Sequence, residues 1–556
     1  MIENQISELI NEALMGIDKF KGLCDKDNLN LEIPKDPKHG DLSSNIAFKI
    51  AKALKGNPNE IAEEISISIR NNLEPSRLKG KIESVEVLNG FINFRLSAKC
   101  LCEVLTRIKD DKSRFGSCDL GKGKSVQVEF VSANPTGPLS VAHARQAAFG
   151  DSLANILRAC GFKVSREYYV NDEGAQISLL GKSIHARYRE ILNEKSEFPS
   201  DGYKGEYIRD IANDICKRYG RKFLDETQKA LKFFSDSGAG YLLKVIKNEL
   251  LDFGVKFDRW YLQSTLSKSG SIEKALGFLR DKQMLYEKDG ALWFKSTSFG
   301  DDKDRVVKKS DGTYTYIAPD IAYHKDKFER RINKAIDIWG PDHHGYISRI
   351  RAAVRALGYE DERLSIIIIQ LATLYKDGKP VPMSTRAGEY VTLREILDEV
   401  GRDAARFFFL MRKASAHLDF DLGLAKKQTP ENPIYYVQYA HARICSISSH
   451  DKCSKRIGVV KEKDLELLKA DEELDLLRQL RQFPLAVRLS TQELDPYRIV
   501  LYLQNLATCF HKFYEAHRVL SDDLALTRAR LLLVDCVRQV LANGLSLLGV
   551  SCPKKM

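Results

Sequence analysis

Residues 126–146 read VQVEFVSANPTGPLSVAHARQ, and this stretch decides the fold class. The apolar, β-branched run from Val126 to Val131 reads as a buried strand. It ends in a loop of small residues, Ser132-Ala133-Asn134-Pro135-Thr136-Gly137-Pro138. A helix is expected from about Val141, with His143 in its first turn. A strand that feeds a Gly/Pro loop and then a helix N-terminus is how α/β folds hold a nucleotide phosphate. The first backbone N–H groups of such a helix lack intrahelical partners, and the macrodipole adds about half a positive charge there. A first-turn histidine can donate one more hydrogen bond to a phosphate oxygen. Phe149, Leu153, Ile156 and Leu157 form the apolar stripe of this helix, and Gly161 is placed to end it. Taken alone, the stretch also fits a strand–loop–helix crossover that binds nothing.

The chain has 556 residues, too many for one core, and domain-size statistics suggest about three or four domains. Its composition, 43% hydrophobic and 29% charged, is that of a soluble protein. No apolar run nears the roughly 20 residues needed to span a bilayer. The longest, Ile366 to Ile369, suits one buried strand. The amphipathic N-terminus, MIENQISELINEALMGI, lacks the basic and apolar regions of a signal peptide, so a cytoplasmic location is expected. The eleven cysteines are scattered with no C-x-x-C spacing, which reads as free thiols and no zinc site. The net charge of +11 weakly favours a polyanionic partner.

Residues 1–112 read as a separate α+β unit. In it an opening amphipathic helix is followed by a Pro/Gly-punctuated loop, residues 31–41, and a helix expected from about Leu42 with Ser43 and Ser44 as caps. Ile82–Leu88 and Phe91–Leu96 alternate around Asn89-Gly90, a hairpin pattern. Residues 111–124 are polar and Gly-rich, a linker. Strands and helices alternate over 113–395, implying a Rossmann-like parallel sheet with a helical insertion at about 177–255. Over 396–556 helical periodicity dominates: Leu476, Leu477, Leu480, Leu485 and Leu489, then Leu531, Leu532, Leu533, Val537, Val540 and Leu541, predict a helical bundle.

A second constellation lies downstream. Lys376-Asp377-Gly378-Lys379-Pro380 has the pattern of a hairpin turn and leads into Val381-Pro382-Met383-Ser384-Thr385-Arg386-Ala387-Gly388. A loop of this composition can close over a triphosphate, with hydroxyls and N–H groups on phosphate oxygens and Arg386 against pyrophosphate; it also fits an ordinary surface loop. Together the two constellations resemble the paired signatures of class I aminoacyl-tRNA synthetases. Ser140-Val141-Ala142-His143 sits where that class has His-Ile-Gly-His, and Pro382-Met383-Ser384-Thr385 where it has Lys-Met-Ser-Lys. Ala133–Pro138, Arg166–Asp172, Gly300–Arg305, Asp320–His324 and Asp342–Tyr346 narrow the resemblance to arginyl-tRNA synthetase. Pro34–Pro37 and Gly90–Phe94 extend it into the N-terminal domain, and Tyr435–Arg443 and Leu547–Val550 into the C-terminal one.

The resemblance implies activation of L-arginine by ATP, with Mg²⁺ carried on the ATP and no built-in metal, then transfer to arginine tRNA by a cytoplasmic monomer with no membrane partner. Its pocket pattern falls on Glu129 and Asn134, and on Tyr316 and Asp320. Carboxylates suit a guanidinium, Asn134 the substrate's backbone end and Tyr316 its aliphatic stem. Glu129 interrupts an apolar run, where a lone charge is costly. Asn134, Gly137, Pro138, Ser140, His143, Asp342, His343, His344, Met383, Ser384, Thr385 and Arg386 are the expected ATP and catalytic residues. Lys35 and Lys38 are expected to meet tRNA, as are Tyr436, Gln438, Tyr439, Phe510, Tyr514 and Arg518 among the aromatics of the bundle. Three departures stand out: Ser140 replaces the first His of the first signature, Ala142 replaces its Gly, and both lysines of the second are absent, replaced by Pro382 and Thr385. Gly137 occupies the place where some family members supply a substitute lysine. Two further readings stay open, a non-catalytic tRNA-binding paralogue and adenylyl transfer to another acceptor. With Arg386 as the nearest replacement cation, Arg386→Ala is expected to lower ATP–pyrophosphate exchange about 10²-fold or more. A near-wild-type exchange rate would remove Arg386 from the reaction.

Overall fold

The computed structural model describes residues 2–23, 31–34, 36–381, 390–449 and 459–556. Helix α1 (Ile2–Met15) buries Ile6, Leu9, Ile10 and Ala13 against the N-terminal core. Strands β1 (Leu31–Glu32) and β2 (Leu42–Ser44) follow, then helices α2 (Ile46–Leu54) and α3 (Pro58–Leu73). The hairpin forms as its alternation predicts, β3 (Ile82–Leu88) against β4 (Phe91–Leu96), with Asn89 and Gly90 at positive φ as a primed turn needs. The four strands make an antiparallel sheet in the order β1-β2-β4-β3. The helix expected from Leu42 therefore begins four residues later. Leu42, Ser43 and Ser44 pair with Phe94, Asn93 and Ile92, and the Asp41 N–H donates to the Phe94 carbonyl. Serine has no strong preference of its own, so a distant strand edge decides its conformation. Helix α4 (Ala98–Asp111), capped by Ser97, closes this unit.

The Gly-rich segment after α4 is docked rather than free: the Gly121 and Gly123 N–H groups donate to the Cys160 and Gly161 carbonyls. Next come β5 (Ser125–Glu129), α5 (Val141–Ala159) and β6 (Lys163–Val170). The charged stretch read as an insertion is the helical trio α6 (Ala175–Ile191), α7 (Glu206–Tyr219) and α8 (Gln228–Asp252). Strand β7 (Arg259–Leu262), short helices α9 (Gln263–Lys268) and α10 (Ser271–Asp281), and the three-stranded sheet β8 (Leu285–Lys288), β9 (Ala291–Phe294) and β10 (Arg305–Lys308) precede α11 (Ile317–Glu329). After these come β11 (Lys334–Trp339), α12 (Ile347–Ala356), β12 (Leu364–Ile368) and the hairpin of β13 (Ala372–Lys376) and β14 (Lys379–Pro380).

The central sheet runs β12-β11-β5-β6-β7, every pair parallel. Strand β5 stops at Glu129, two residues short of the apolar run, because Val131 and Ser132 turn at positive φ. Alternation gives the sheet two unlike faces. Val126, Val128, Ile336 and Ile338 pack with α5 in the main core. The opposite face, under α11, carries charge.

Helix α13 (Leu393–Phe409) is broken at Gly401, whose φ of 77° and ψ of 167° are not helical. A strand, β15 (Leu418–Asp421), then pairs in parallel with β13, where the sequence pattern shows helix alone. The bundle follows: α14 (Leu422–Lys426), α15 (Pro433–Ser448), α16 (Glu462–Leu465), α17 (Asp471–Glu493), α18 (Tyr497–Ala516) and α19 (Leu524–Leu547). Leu476, Leu477 and Leu480 are fully buried as expected, but Leu485 is exposed, and the buried face of α17 continues through Phe483 and Val487. No helix of the described residues is long and apolar enough to cross a membrane.

The bundle meets the nucleotide-type helix through one buried cation. Arg406 of α13 pairs with Asp151 of α5 at 2.6 Å and donates to the Leu548 and Phe253 carbonyls at 2.9 and 3.3 Å. Leu548 caps α19, whose last carbonyls carry the negative end of its dipole. Gly549 follows at φ +67°, and a Cβ there would lie 2.3 Å from the Arg406 guanidinium. Gly549→Ala is therefore expected to cost about 2 kcal/mol or more, from left-handed strain and the displaced cation. A lower urea midpoint checks this; an unchanged midpoint contradicts it.

Candidate active site

The loop after β5 is held by its own carbonyls. Tyr168 of β6 donates to the Ala133 carbonyl at 2.8 Å, Tyr207 of α7 to Thr136 at 2.8 Å, and Tyr390 to Pro138 at 3.1 Å. The Leu393 N–H donates to the Leu139 carbonyl at 2.7 Å. Helix α7 belongs to the insertion, and Tyr390 follows the second signature, so separate parts of the chain shape one loop. A Cβ on Gly137 would sit 3.1 Å from both the Tyr207 and Tyr390 hydroxyls, which is why a bare residue stands there. Beneath the loop, burial pushes the carboxyl of Glu249, on α8, up to about 7.

Ser140 is the N-cap of α5, and His143 is its third residue. The Ser140 N–H lies 3.2 Å and its Oγ 3.1 Å from His143 Nδ1. A backbone N–H can only donate, so Nδ1 accepts and the ring proton sits on Nε2. Burial lowers the His143 pKa to about 4, opposed by the nearby charge of Asp342. At neutral pH the ring is uncharged and offers one N–H at the helix N-terminus. Ser140, standing where the class signature has its first histidine, is thus a cap whose backbone N–H fixes the tautomer of the second, His143. Because its folded pKa lies below the ordinary 6.5, this histidine costs stability as the pH falls from there toward 4. A histidine-selective NMR titration should find His143 neutral and Nε2-protonated at pH 7, with no protonation above about pH 5.5. A ring charged at pH 6.5 would contradict the assignment.

The charged face of the sheet is built by register. Asp337 of β11, Glu129 of β5 and Glu167 of β6 are partners on one rung of three parallel strands. Asp337 and Glu167 are 1% and 0% exposed. Like charges side by side oppose pairing, and burial adds to the cost. Helix α11 answers with cations: Lys327 Nζ lies 2.6 Å from Glu129 and 2.7 Å from Asp337, and Arg330 grips Glu167 at 2.6 and 3.0 Å. His324 Nε2 reaches Asp337 at 3.0 Å, and the Tyr323 hydroxyl donates to Glu167 at 2.7 Å.

The four acids are not compensated alike. Burial raises the Asp337 carboxyl, but Lys327 and His324 outweigh it and hold the group near 2. Glu129 has Lys327 and the Ser132 hydroxyl, and burial together with Asp337's charge pushes it up. Asp320, on the first turns of α11, accepts from the Tyr346 hydroxyl at 2.6 Å and has no ion-pair partner among the described residues. Burial raises its pKa as well. Among the described residues, buried Lys327 is shared by Glu129 and Asp337, Glu167 has Arg330 and, at 3.8 Å, Arg259, and Asp320 has no cation.

The structure brings together Glu129, Asp320, the 132–140 loop and His143 at the carboxyl ends of β5 and β11. Asn134 is at its edge, its amide donating to Gln176 of α6 at 2.6 Å. Tyr316 precedes α11 and is 68% exposed, one turn from Asp320. Asp342, His343 and His344 lie in a 3-10 turn directly after β11, exposed, with Asp342 the one near His143. Met383, Ser384, Thr385 and Arg386, and Lys35 of the N-terminal loop, fall outside the described residues. Two of the bundle residues expected at RNA do not present themselves. Phe510 is fully buried, and Gln438 donates to Asp403 and the Ser551 carbonyl, so amphipathic packing claims both. Tyr439 and Tyr514 are half-buried and share the Arg443 guanidinium at 4.7 and 4.6 Å, while Lys38 and Arg518 are exposed. Lys327, Asp337, Glu167, Arg330, Tyr323 and Tyr346 escape a reading of the sequence. Only the charges of Asp337 and Glu167 inside apolar strand patterns hint at them. Among the described residues, no group of three or more His, Cys, Asp or Glu is placed to hold a metal ion.

Known proteins carry the same organisation. Residues 2–96 match the arginyl tRNA synthetase N terminal domain, 105–416 the catalytic domain of tRNA synthetases class I (R), and 437–556 the DALR anticodon binding domain. An arginine--tRNA ligase of Syntrophotalea carbinolica is 47% identical over 531 residues, 95% of each chain. That of Geobacillus kaustophilus is 46% identical over 564 residues and 100% of both. A crystal structure of a putative arginyl tRNA synthetase from Campylobacter jejuni is 36% identical, with a TM-score of 0.75, covering 83% of this chain and 100% of that one. The Thermus thermophilus enzyme, 22% identical with a TM-score of 0.78 over both whole chains, shares the fold. With matches to all three domain models and close relatives along its whole length, the chain belongs to the arginyl-tRNA synthetase family of class I.

Proposed function

We propose that this protein ligates L-arginine to its cognate tRNA through an arginyl-adenylate, releasing pyrophosphate and AMP. The observation that carries the reading is a pair of buried carboxyls beside an ATP-type loop, Glu129, which shares its one ammonium with Asp337, and Asp320, which has no cation among the described residues; together they leave room for a cationic ligand. A guanidinium suits it, because its planar fork can bridge two carboxylates that a point charge would serve one at a time. Asn134 takes the substrate's backbone end, and Tyr316 lies along its stem. The arginine carboxylate attacks the α-phosphorus of ATP, an oxygen–phosphorus bond forms, and the bond to pyrophosphate breaks. That carboxylate is already the nucleophile, so the chain needs no general base; its work is positioning and charge stabilisation.

His143 offers its Nε2–H to a phosphate oxygen, together with the free N–H groups of α5. Gly137 and Pro138 let the backbone approach, while Asp342, His343 and His344 face the nucleotide from the end of β11. Met383, Ser384, Thr385 and Arg386 are the residues assigned to the pyrophosphate, with Arg386 as its cation. Mg²⁺ enters as part of the ATP substrate complex. In the second step the terminal ribose hydroxyl of tRNA displaces AMP. Tyr436, Tyr439, Tyr514 and Arg518 on the bundle, and Lys35 and Lys38 on the N-terminal domain, meet the RNA. The reading carries with it a cytoplasmic monomer.

Aminoacylation with arginine and cognate tRNA tests this directly, with pyrophosphate exchange measured with and without tRNA. Tight tRNA binding without charging would favour the non-catalytic paralogue, and adenylyl transfer that ignores arginine would favour another acceptor. Asp320→Asn removes charge without changing shape. It is expected to raise KM for arginine at least about tenfold with little change in KM for ATP, the loss of a charge-assisted hydrogen bond. An unchanged arginine KM would refute the assignment of Asp320.

A further inference from the structure

Lys327 has no part in the reaction as described, yet it sits at the base of the pocket. Its side chain is 0% exposed, with Nζ 2.6 Å from Glu129 Oε2, 2.7 Å from Asp337 Oδ1 and 4.4 Å from the Tyr323 ring. A buried ion pair is a poor device for stability alone, since apolar side chains of the same volume often serve as well or better. The second acid, Asp337, already has His324. Among the described residues Glu129 has no other cation.

We propose that Lys327 is a positioning residue of the arginine pocket, whose ammonium keeps Glu129 ionised and its carboxylate oriented toward the substrate. The inference rests on the reading of Glu129 as part of the arginine site. The groups facing Glu129 come from every element around it: Lys327 and Tyr323 from α11, Asp337 from β11, Glu167 and Tyr169 from β6, and Ser132 from the loop. Asp320 and His324 stand next along α11. Of these, only Lys327 is a cation in contact with Glu129. Without it, burial and the charges of Asp337 and Glu167 would all favour the protonated acid. Arginine would then bind only by expelling that proton.

Calorimetric titration of arginine into the full-length protein, in two buffers of different ionisation heat, reads this proton. Wild type is expected to release close to none at pH 7. Lys327→Met should release toward one, and its Kd should strengthen by about tenfold per pH unit, at most, between pH 6 and 8. Asp337→Asn leaves the ammonium to Glu129 alone, so at pH 5.5 it should release fewer protons than wild type. A structural role would weaken binding in both variants without opposite proton counts. Lys327→Met that binds arginine as wild type does, or more weakly with no proton release, overturns the proposal. If Lys327→Met fails to fold, Asp337→Asn decides, and an equal or larger release than wild type at pH 5.5 overturns it. Failure of wild type to bind arginine would instead refute the proposed function.

Discussion

Three carboxylates on one rung of a parallel sheet are the constraint around which this protein is arranged. Hydrogen-bond register places Asp337, Glu129 and Glu167 abreast, and burial makes their mutual repulsion expensive. Helix α11 has to lie where Lys327 and Arg330 can reach them, and its position in turn carries Asp320 and Tyr323 to the same face. The chain stops short of neutralising the cluster. Asp337 and Glu167 are satisfied from within, whereas Glu129 shares its one ammonium with Asp337 and Asp320 has no cation among the described residues. The charge balance of this cluster and the packing of α11 on the sheet are therefore one electrostatic problem.

The nucleotide side of the site is organised by hydrogen bonds rather than charge. A loop rich in Gly and Pro has little side-chain substance with which to hold its own shape. Here its carbonyls are taken by tyrosines from the sheet, from the insertion and from the segment after the second signature. The insertion is thus part of the scaffold of the 132–140 loop. Ser140 contributes in the same spirit: a small capping residue sets the tautomer of His143, so a departure from the class pattern leaves a well-defined donor at the helix N-terminus.

Helix α5 links these parts to the bundle. Its first turn holds His143, its middle offers Asp151 to Arg406, and its far side takes the Leu547 and Leu548 carbonyls through Asn155 and Ser152. The end of the last bundle helix is therefore seated on the element that presents His143. Gly549 is the residue that lets the chain pass this contact.

By itself the sequence determined the class of fold and singled out the residues proposed for the site. Strand–loop–helix punctuation, a two-residue hairpin turn and helical periodicity are local signals, and they appear where predicted in β5–α5, β3–β4 and α19. Glu129 was legible because a charge in an apolar strand is costly, and His143 because it opens a helix after a small-residue loop, whereas Asp320 was reached only through the family resemblance. What only the tertiary structure decided are the pairings made across long separations. Leu42–Ser44 became a strand because β4 lies beside it, and Leu418–Asp421 because β13 does. Phe510 and Gln438 turned inward because neighbouring helices cover them. The rung of acids and its cations is of the same kind. Lys327 lies 198 residues from Glu129 in sequence, and no periodicity links them; parallel register and the docking of α11 bring them to 2.6 Å. Local physics sets the elements, whereas the charge balance of a buried site exists only once they are assembled.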